Sequence, residues 1–173
     1  MAATYTLISS NVLAASAASV TFSSIPSTYT DLVLRISARS DDTGSSYKTF
    51  KLVFNGDTTA LYSETRLYAE STNTIYSSTQ GNRSNNTARY TTAGLSTSNT
   101  FSNFDLYIPS YTVSQNKPMS QFGVAENNSA DGGISVYADL YRSTSAISSV
   151  EVGNFSGNFV AGSSFYLYGI KNS

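Results

Sequence analysis

The feature that most constrains the fold of this chain is an alternation of side chains over residues 31–40 (DLVLRISARS). Successive side chains of a β-strand point to opposite faces, so a period of two predicts a strand with one apolar side. The apolar side consists of Leu32, Leu34, Ile36 and Ala38. Turn-forming residues stand at 25–27 and 41–44. We therefore predict a central strand of a sheet here.

Segments with the same period recur along the chain. Further strands are predicted at 5–12, 20–22, 49–54, 101–108, 119–126, 134–141, 147–152 and 164–171. No long helical crossover separates them, which argues against a parallel sheet. Several long connections favour Greek-key topology over simple hairpins. The sequence thus predicts an all-β fold, a single jelly-roll-like antiparallel β-sandwich domain over residues 1–173 with about eight to ten strands.

The alternation also predicts which side chains enter the core. In segment 134–141 we expect the aliphatic residues to point inward and the tyrosines outward, and in segment 119–126 we expect Phe122 and Val124 to point inward. The inward residues of segment 134–141 would be Ile134, Val136, Ala138 and Leu140. The predicted core of the whole domain is Leu34, Ile36, Leu52, Phe104, Leu106, Val136, Ala138 and Leu167.

Residues 58–100 have the weakest pattern in the chain. Tyrosines stand among Ser, Thr and Asn, and segment 61–70 fits a short helix as well as a strand. We expect extended loops with one or two short edge strands. Long loops of this kind are commonly functional or mobile.

The low charge of the chain limits its partners. Charged residues make up 12 % of the chain and the net charge is −1. Duplex DNA and anionic membranes need a basic surface, so we expect neither nucleic acid nor membrane as a partner. Ser and Thr supply roughly 30 % of residues, above ordinary usage, but 13 % aromatics argue against disorder. Segment 7–20 lacks the basic start of a signal peptide, so we expect a soluble, unexported protein.

The residue types exclude several kinds of catalysis. The chain has no His and no Cys, which removes Ser-His-Asp and Cys-His mechanisms and His- or Cys-based zinc sites. Paired carboxylates for glycoside hydrolysis remain, with Glu64 and Glu70, or Asp41 and Asp42, as candidates. Adjacent acidic residues in a Thr/Gly/Ser loop are ordinarily turn formers. We expect no catalytic residue and no cofactor.

Calcium needs only oxygen ligands, so two loops rich in Asn and Asp are candidate calcium sites. One contains Asn127, Asn128 and Asp131, and the other contains Asp41 and Asp42. Neither has the spacing of a known calcium loop, and Asn and Asp favour turns in any case. We expect structural turns and no metal.

The tyrosines are the strongest candidates for binding. A tyrosine offers an aromatic face and a hydroxyl, which suits protein interfaces and sugar stacking alike. Two interpretations remain open: the tyrosines are partly exposed at an interface, or they close the ends of the sandwich core. The candidate interface residues are Tyr62, Tyr68, Tyr76, Tyr90 and Tyr111.

Four segments together resemble a family of small virion proteins of tailed bacteriophages. They are YTLISSNVLAASAASVTFSSIPSTYTDLVLRISARS, LVFNGDTTALYSETRLYAE, FSNFDLYIPSYTVSQNKPMSQFGVAENN and GNFVAGSSFYLYGIKN. The resemblance runs from about Tyr5 to Lys171 and consists of strand and turn patterns. It implies a structural role, as a capsid decoration (cement) protein or a tail-fibre component, with a jelly-roll-like fold and often a trimeric assembly. It brings no catalytic residue.

Within that family the sequence favours a head decoration protein. There is no repeat or coiled-coil shaft of the kind that receptor-binding fibres need. The expected partners are the major capsid protein and further copies of the chain in a homotrimer, on the exterior of a virion assembled in the host cytoplasm. The alternative is a tail-fibre module that uses the tyrosine-rich segment to bind a host surface glycan.

Overall fold

The computed structural model describes residues 4–70, 74–127 and 132–171, and its regular secondary structure consists of twelve β-strands. The strands are β1 (Tyr5–Val12), β2 (Ser19–Phe22), β3 (Asp31–Ala38), β4 (Tyr47–Phe54), β5 (Tyr62–Glu70), β6 (Thr74–Arg83), β7 (Asn86–Thr92), β8 (Ser102–Ile108), β9 (Lys117–Ala125), β10 (Gly133–Tyr141), β11 (Val150–Asn154) and β12 (Ser164–Ile170). Over the same residues no helix is long and apolar enough to cross a membrane.

The strands form two antiparallel sheets. The larger sheet has the order β1-β12-β3-β8-β9-β10-β5-β6, and the smaller has the order β2-β11-β4-β7. If β5, β6, β9 and β10 are set aside, two four-stranded sheets remain, β1-β12-β3-β8 and β2-β11-β4-β7, which is the order of a jelly roll. The predicted all-β sandwich is confirmed. The four additional strands widen one sheet and account for the count above ten.

The core lies between the two sheets and is built largely from the residues that alternation assigned to it. The central strand β3 lies between β12 and β8, with Leu34 opposite both Leu167 and Leu106. Across the sandwich, the Phe50 ring of the smaller sheet packs edge-on against Phe104, with 4.8 Å between the ring centroids. Six of the eight predicted core residues are buried as expected: Leu34, Ile36, Leu52, Phe104, Leu106 and Leu167.

The predicted orientation of β9 and β10 is wrong. Val136 and Phe122 are each 47 % exposed, and Ala138 also faces solvent. The inward side of β10 instead carries Ser135, Tyr137, Asp139 and Tyr141. Tyrosine has a larger apolar surface than Val or Ala, so burying Tyr137 and Tyr141 removes more apolar area from water.

The weakly patterned segment 58–100 is also more regular than predicted. It contains three strands, β5, β6 and β7, and the segment that fitted either a helix or a strand forms strand β5 from Tyr62 to Glu70. Polar side chains pair across the β5–β6 ladder, as in Arg66 Nε donating to Ser78 Oγ at 2.7 Å. Such cross-strand pairs stabilise a sheet without the apolar alternation that identifies a strand in sequence.

Candidate interaction surface

Among the described residues of β5, β6, β9 and β10, those on the outward side include no ionisable side chain, and we call this surface the uncharged face. Strand burial and register assign its residues. They are Ser63, Thr65, Leu67 and Ala69 of β5; Ile75, Ser77 and Thr79 of β6; Pro118, Ser120, Phe122 and Val124 of β9; and Ile134, Val136, Ala138 and Leu140 of β10.

The strand register gathers the large apolar side chains of the uncharged face into rows. Val136 of β10 lies opposite Phe122 of β9 and Leu67 of β5. A second row pairs Ile134 with Val124 on one side and with Ala69 on the other, and Ala69 lies opposite Ile75. The exposed fractions are 44 % for Ile134, 53 % for Leu67 and 71 % for Ile75. The rows therefore form a contiguous apolar patch on the solvent side of the sheet.

Strands β3 and β8 border this patch with charges. Arg35 Nε lies 3.3 Å from an Asp105 carboxylate oxygen, and both side chains are more than half exposed. Asp105 lies opposite Phe122 in the β8–β9 ladder, so the ion pair begins where the apolar rows end. A shallow hollow of about 290 Å³, lined in part by Asp105, Tyr107 and Val136, marks this border.

A buried polar layer between β7 and the larger sheet fixes the orientation of the uncharged face. The Glu64 carboxylate of β5 accepts hydrogen bonds from the backbone N–H and the hydroxyl of Thr87 on β7, at 3.0 and 2.8 Å. Gln121 of β9 donates to the Thr87 carbonyl at 3.0 Å. These bonds satisfy the polar side of β5 and β9, which leaves their apolar side in solvent.

Asp139 is the most perturbed group of this layer. It faces Glu64 in the β5–β10 ladder, and it accepts hydrogen bonds from Asn86 Nδ2 at 3.1 Å and from Gln121. Burial raises the pKa of the Asp139 carboxyl to about 8, and the nearby Glu64 carboxylate adds to the rise. Asp139 therefore holds a proton at neutral pH, which limits the charge that this layer buries.

Three of the five candidate interface tyrosines lie in the interior. Tyr62, Tyr90 and Tyr111 are fully buried. The Tyr62 hydroxyl donates to the Asp57 carbonyl at 2.8 Å, and the Tyr111 hydroxyl donates to the Pro26 carbonyl. The core interpretation applies to these three residues.

The other two tyrosines stack on each other in the β5–β6 hairpin. Tyr68 and Tyr76 lie directly opposite, with ring centroids 5.0 Å apart and an interplanar angle of 19°. The Arg89 guanidinium lies 4.2 Å from the centre of the Tyr68 ring. Tyr76 is 38 % exposed, so the stack presents one aromatic ring to solvent.

The candidate carboxylates do not form a catalytic pair. Glu64 and Glu70 lie on the same side of β5, six residues apart, which corresponds to roughly 20 Å along a strand. Glycosidases hold their two carboxyl groups within about 10 Å. Glu64 is sealed in the polar layer, and Glu70 is bound by Tyr47 at 3.0 Å and by Arg89 at 3.6 Å.

Asp41 and Asp42 act as acceptors within a turn. Asp41 accepts from the Asn158 backbone N–H at 2.7 Å. Asp42 accepts from the Ser156 hydroxyl at 2.7 Å and lies 3.0 Å from Lys48 Nζ. Mainly because of the Ser156 hydrogen bond, the pKa of Asp42 is lowered to about 2. The local turn contact expected from the sequence is the hydrogen bond that the Gly44 backbone N–H donates to Asp42 Oδ1 at 2.8 Å, whereas the bonds from Ser156 and Asn158 join this loop to a distant one.

The second loop considered for calcium is only partly described. Asn128 and Asp131 lie outside the described residues. Within residues 4–70, 74–127 and 132–171 there is no group of three or more His, Cys, Asp or Glu side chains that could hold a metal ion.

Comparison with known proteins identifies no family. No family model matches this chain, and no curated protein matches it. Among solved structures, CG-16, a homodimeric agglutinin from chicken liver, aligns over 72 % of this chain and 95 % of its own, with 9 % sequence identity and a TM-score of 0.27. A likeness this weak supports neither a shared fold nor a shared function.

Proposed function

We propose that this protein is a structural component of a tailed-phage virion, namely a capsid decoration (cement) protein that binds the outside of the head and stabilises it. The observation that carries this proposal is the uncharged face, because a contiguous apolar patch on a soluble domain is the mark of a protein–protein contact. Its partners are the major capsid protein and further copies of the chain in a homotrimer. Its role requires no catalytic residue, cofactor or metal.

Two further considerations support this role. The sequence resembles small virion proteins over most of its length, and the jelly roll is an architecture that capsid domains use. The second point is an analogy between folds, since one fold hosts many functions. Lectin domains share the same architecture, so the fold alone does not separate head decoration from glycan binding.

Reconstitution on heads that lack the protein tests the proposal. Purified protein is added to such heads, bound copies are counted by band intensity, and their position is determined by electron cryomicroscopy. We expect many copies at symmetry-related positions on the shell and a higher temperature of DNA release. A small number of copies confined to the tail would contradict decoration and support the fibre role.

The exposed aromatic stack favours glycan binding as a second candidate function. Aromatic faces pack against sugar rings, and Tyr76 presents such a face beside Tyr68 and Arg89. Under this role, Tyr76→Ala abolishes binding of the isolated protein to host surface polysaccharide. Tyr107→Ala is the matched control, because Tyr107 is 39 % exposed against 38 % for Tyr76. Equal binding by both variants and the parent would exclude the stack as a glycan site.

A further inference from the structure

We propose that the uncharged face is the surface through which copies of this chain associate with one another. The inference deepens the proposed function, on which the virion setting and the number of three subunits rest. The association between copies is expected in the purified protein, without phage heads present. It places the apolar rows of β5, β6, β9 and β10 in the contact between neighbouring copies.

The size of the apolar patch suits a subunit contact. Leu67, Ile75, Phe122, Ile134 and Val136 are each about half exposed or more. With side chains of this size they leave on the order of 500 Å² of apolar surface, near the upper end for a monomer. A stable contact buries about 800 Å² on each partner. The Ser, Thr and Ala residues of the same face lie in position to supply the remainder.

The absence of charge on this face favours an identical partner. Subunit contacts in homo-oligomers are more apolar than transient contacts and are depleted of charge at their centre. Two copies of a face without ionisable groups meet without like-charge repulsion or loss of ion hydration. The bordering pair of Arg35 and Asp105 carries both signs and therefore adds no net charge at the edge of the face.

The other sheet lacks these properties. The Lys51 ammonium of β4 and the Glu151 carboxylate of β11 form an ion pair at 3.2 Å in the smaller sheet, and both side chains are about one-third exposed. Charges of this kind are typical of a solvated sheet surface. The exposed side of the smaller sheet therefore carries charge, in contrast with the uncharged face.

Substitution of the exposed apolar residues tests the inference in the isolated protein. Analytical ultracentrifugation follows association of the parent, Phe122→Glu and Val136→Glu over a concentration series. We expect the parent to self-associate. Each variant should raise the dissociation constant by at least about 30-fold, as for a residue central to an interface. Circular dichroism and thermal melting confirm that the variants remain folded, because both positions are solvent-exposed in the monomer.

The chain provides matched controls outside the face. Phe155 is 54 % exposed and Val113 is 48 % exposed, close to the values for Phe122 and Val136. Phe155→Glu and Val113→Glu should leave the association constant unchanged. A parent that stays monomeric at about 100 µM, or control variants that dissociate as readily as the face variants, would overturn the inference.

Cysteine cross-linking gives a second, independent readout. The natural chain has no Cys, so a single introduced thiol can form a disulfide only with another copy. Val136→Cys and Leu67→Cys should cross-link under mild oxidation, whereas Phe155→Cys should not. Equal cross-linking at all three positions indicates random collision and contradicts the inference.

The outcomes separate this inference from the proposed function. Association through the face by a protein that does not bind heads would overturn head decoration and leave the subunit contact established. A monomeric protein that binds heads, but no longer does so as Phe122→Glu, would overturn self-association and identify the face as the shell contact.

Discussion

At the scale of single residues, the buried carboxyl groups under β7 affect which side of the larger sheet faces solvent as well as the stability of the fold. The Glu64 carboxylate accepts hydrogen bonds from Thr87 and, at 3.2 Å, from the Arg66 guanidinium, whereas the neighbouring Asp139 has a pKa raised to about 8. Both side chains turn inward, and their aliphatic neighbours on the same strands turn outward. These two carboxyl groups therefore help to determine which side of the sheet meets solvent.

The proton on Asp139 predicts how stability depends on pH. The pKa of Asp139 is about 8 in the folded protein, whereas an aspartate in an unfolded chain has its ordinary pKa of 3.8, so unfolding releases a proton at pH values between these two. The free energy of unfolding should fall by up to about 1.4 kcal/mol per pH unit as pH rises from about 4 to about 8, and then level off. Asp139→Asn cannot ionise and should flatten this slope in urea titrations at successive pH values.

Asp105→Asn is the control for that experiment, because it removes an exposed carboxylate instead of a buried one. It should retain the parental slope between pH 5 and 8. Parallel stability curves for Asp139→Asn and the parent would show that Asp139 is already ionised in the folded protein.

A pair of alanine substitutions tests the orientation of β10 directly. Leu106 is buried in the core, whereas Val136 is 47 % exposed. Leu106→Ala should lower the free energy of unfolding by about 2–5 kcal/mol, the sum of lost transfer energy and a cavity. Val136→Ala should change it by less than about 0.5 kcal/mol when measured in dilute protein. Similar costs at both positions in urea denaturation would contradict the structure.

At the scale of elements, sequence alternation located strands well but did not always indicate their inner side. In β3 one side is aliphatic and the other is mixed, so the choice was unambiguous and correct. In β10 one side is aliphatic and the other carries two tyrosines, so either side could face the core. A period of two does not indicate which of them is buried. The uncharged face was therefore not predictable from alternation alone. Weighing side-chain area, and not only hydrophobic class, would have favoured burying Tyr137 and Tyr141.

Strands β5 and β6 show a different limit of sequence interpretation. Their ladder is held partly by hydroxyl and guanidinium contacts, such as Thr65 with Thr79 at 3.2 Å. Ser- and Thr-rich strands of this kind are easily taken for loops in sequence. The five candidate tyrosines could not be separated into buried and exposed residues from sequence for a similar reason. Only the tertiary contacts distinguish the buried Tyr62 from the exposed Tyr76.

The close approach of β9 to the core supplies a test at this scale. A Cβ atom added at Gly123 would lie 2.2 Å from Phe104 Cε1, inside the contact distance of any two carbons. Because Phe104 packs against Phe50, the ring has little room to move. Gly123→Ala should destabilise the protein by about 1–3 kcal/mol through overpacking. Thermal or urea unfolding measures the loss.

Gly81 of β6 is the matched control, because no heavy atom lies within 4 Å of a Cβ added there. Gly81→Ala should leave stability within about 0.5 kcal/mol of the parent. Equal effects of the two substitutions would mean that the loss at Gly123 does not arise from Phe104.

At the scale of the whole molecule, a jelly roll has been widened on one side only. Strands β5, β6, β9 and β10 extend the larger sheet, and β7 of the smaller sheet covers the inner side of β5, β9 and β10 through the polar layer. The extension thereby gains a buried inner side and a bare outer side. The inner side of the extension stabilises the fold, and the outer side is the proposed contact with another copy.

This division predicts how association responds to salt. Among the described residues, the ionisable groups at the proposed subunit contact stand at its border, namely Arg35, Asp105 and Glu126, so screening has little to act on. Its dissociation constant should change by less than about threefold between 50 mM and 500 mM NaCl, whereas sulfate should strengthen it by favouring apolar burial. A dissociation constant that rises steeply with NaCl in ultracentrifugation would indicate an electrostatic contact elsewhere on the surface.

The pairing of β1 with β12 has a consequence for how quickly the protein reaches its native state. This ladder sets Tyr5 opposite Ile170, so it joins segments from near the two ends of the chain. Loop-closure entropy must be overcome before such a distant contact stabilises anything, and β-sandwiches of this kind fold in milliseconds to seconds. Strand β1 is an edge strand with nearly all of its side chains exposed, so its contacts stabilise the chain little until β12 is in place. Substitutions in β1 should therefore accelerate unfolding and leave the folding rate nearly unchanged.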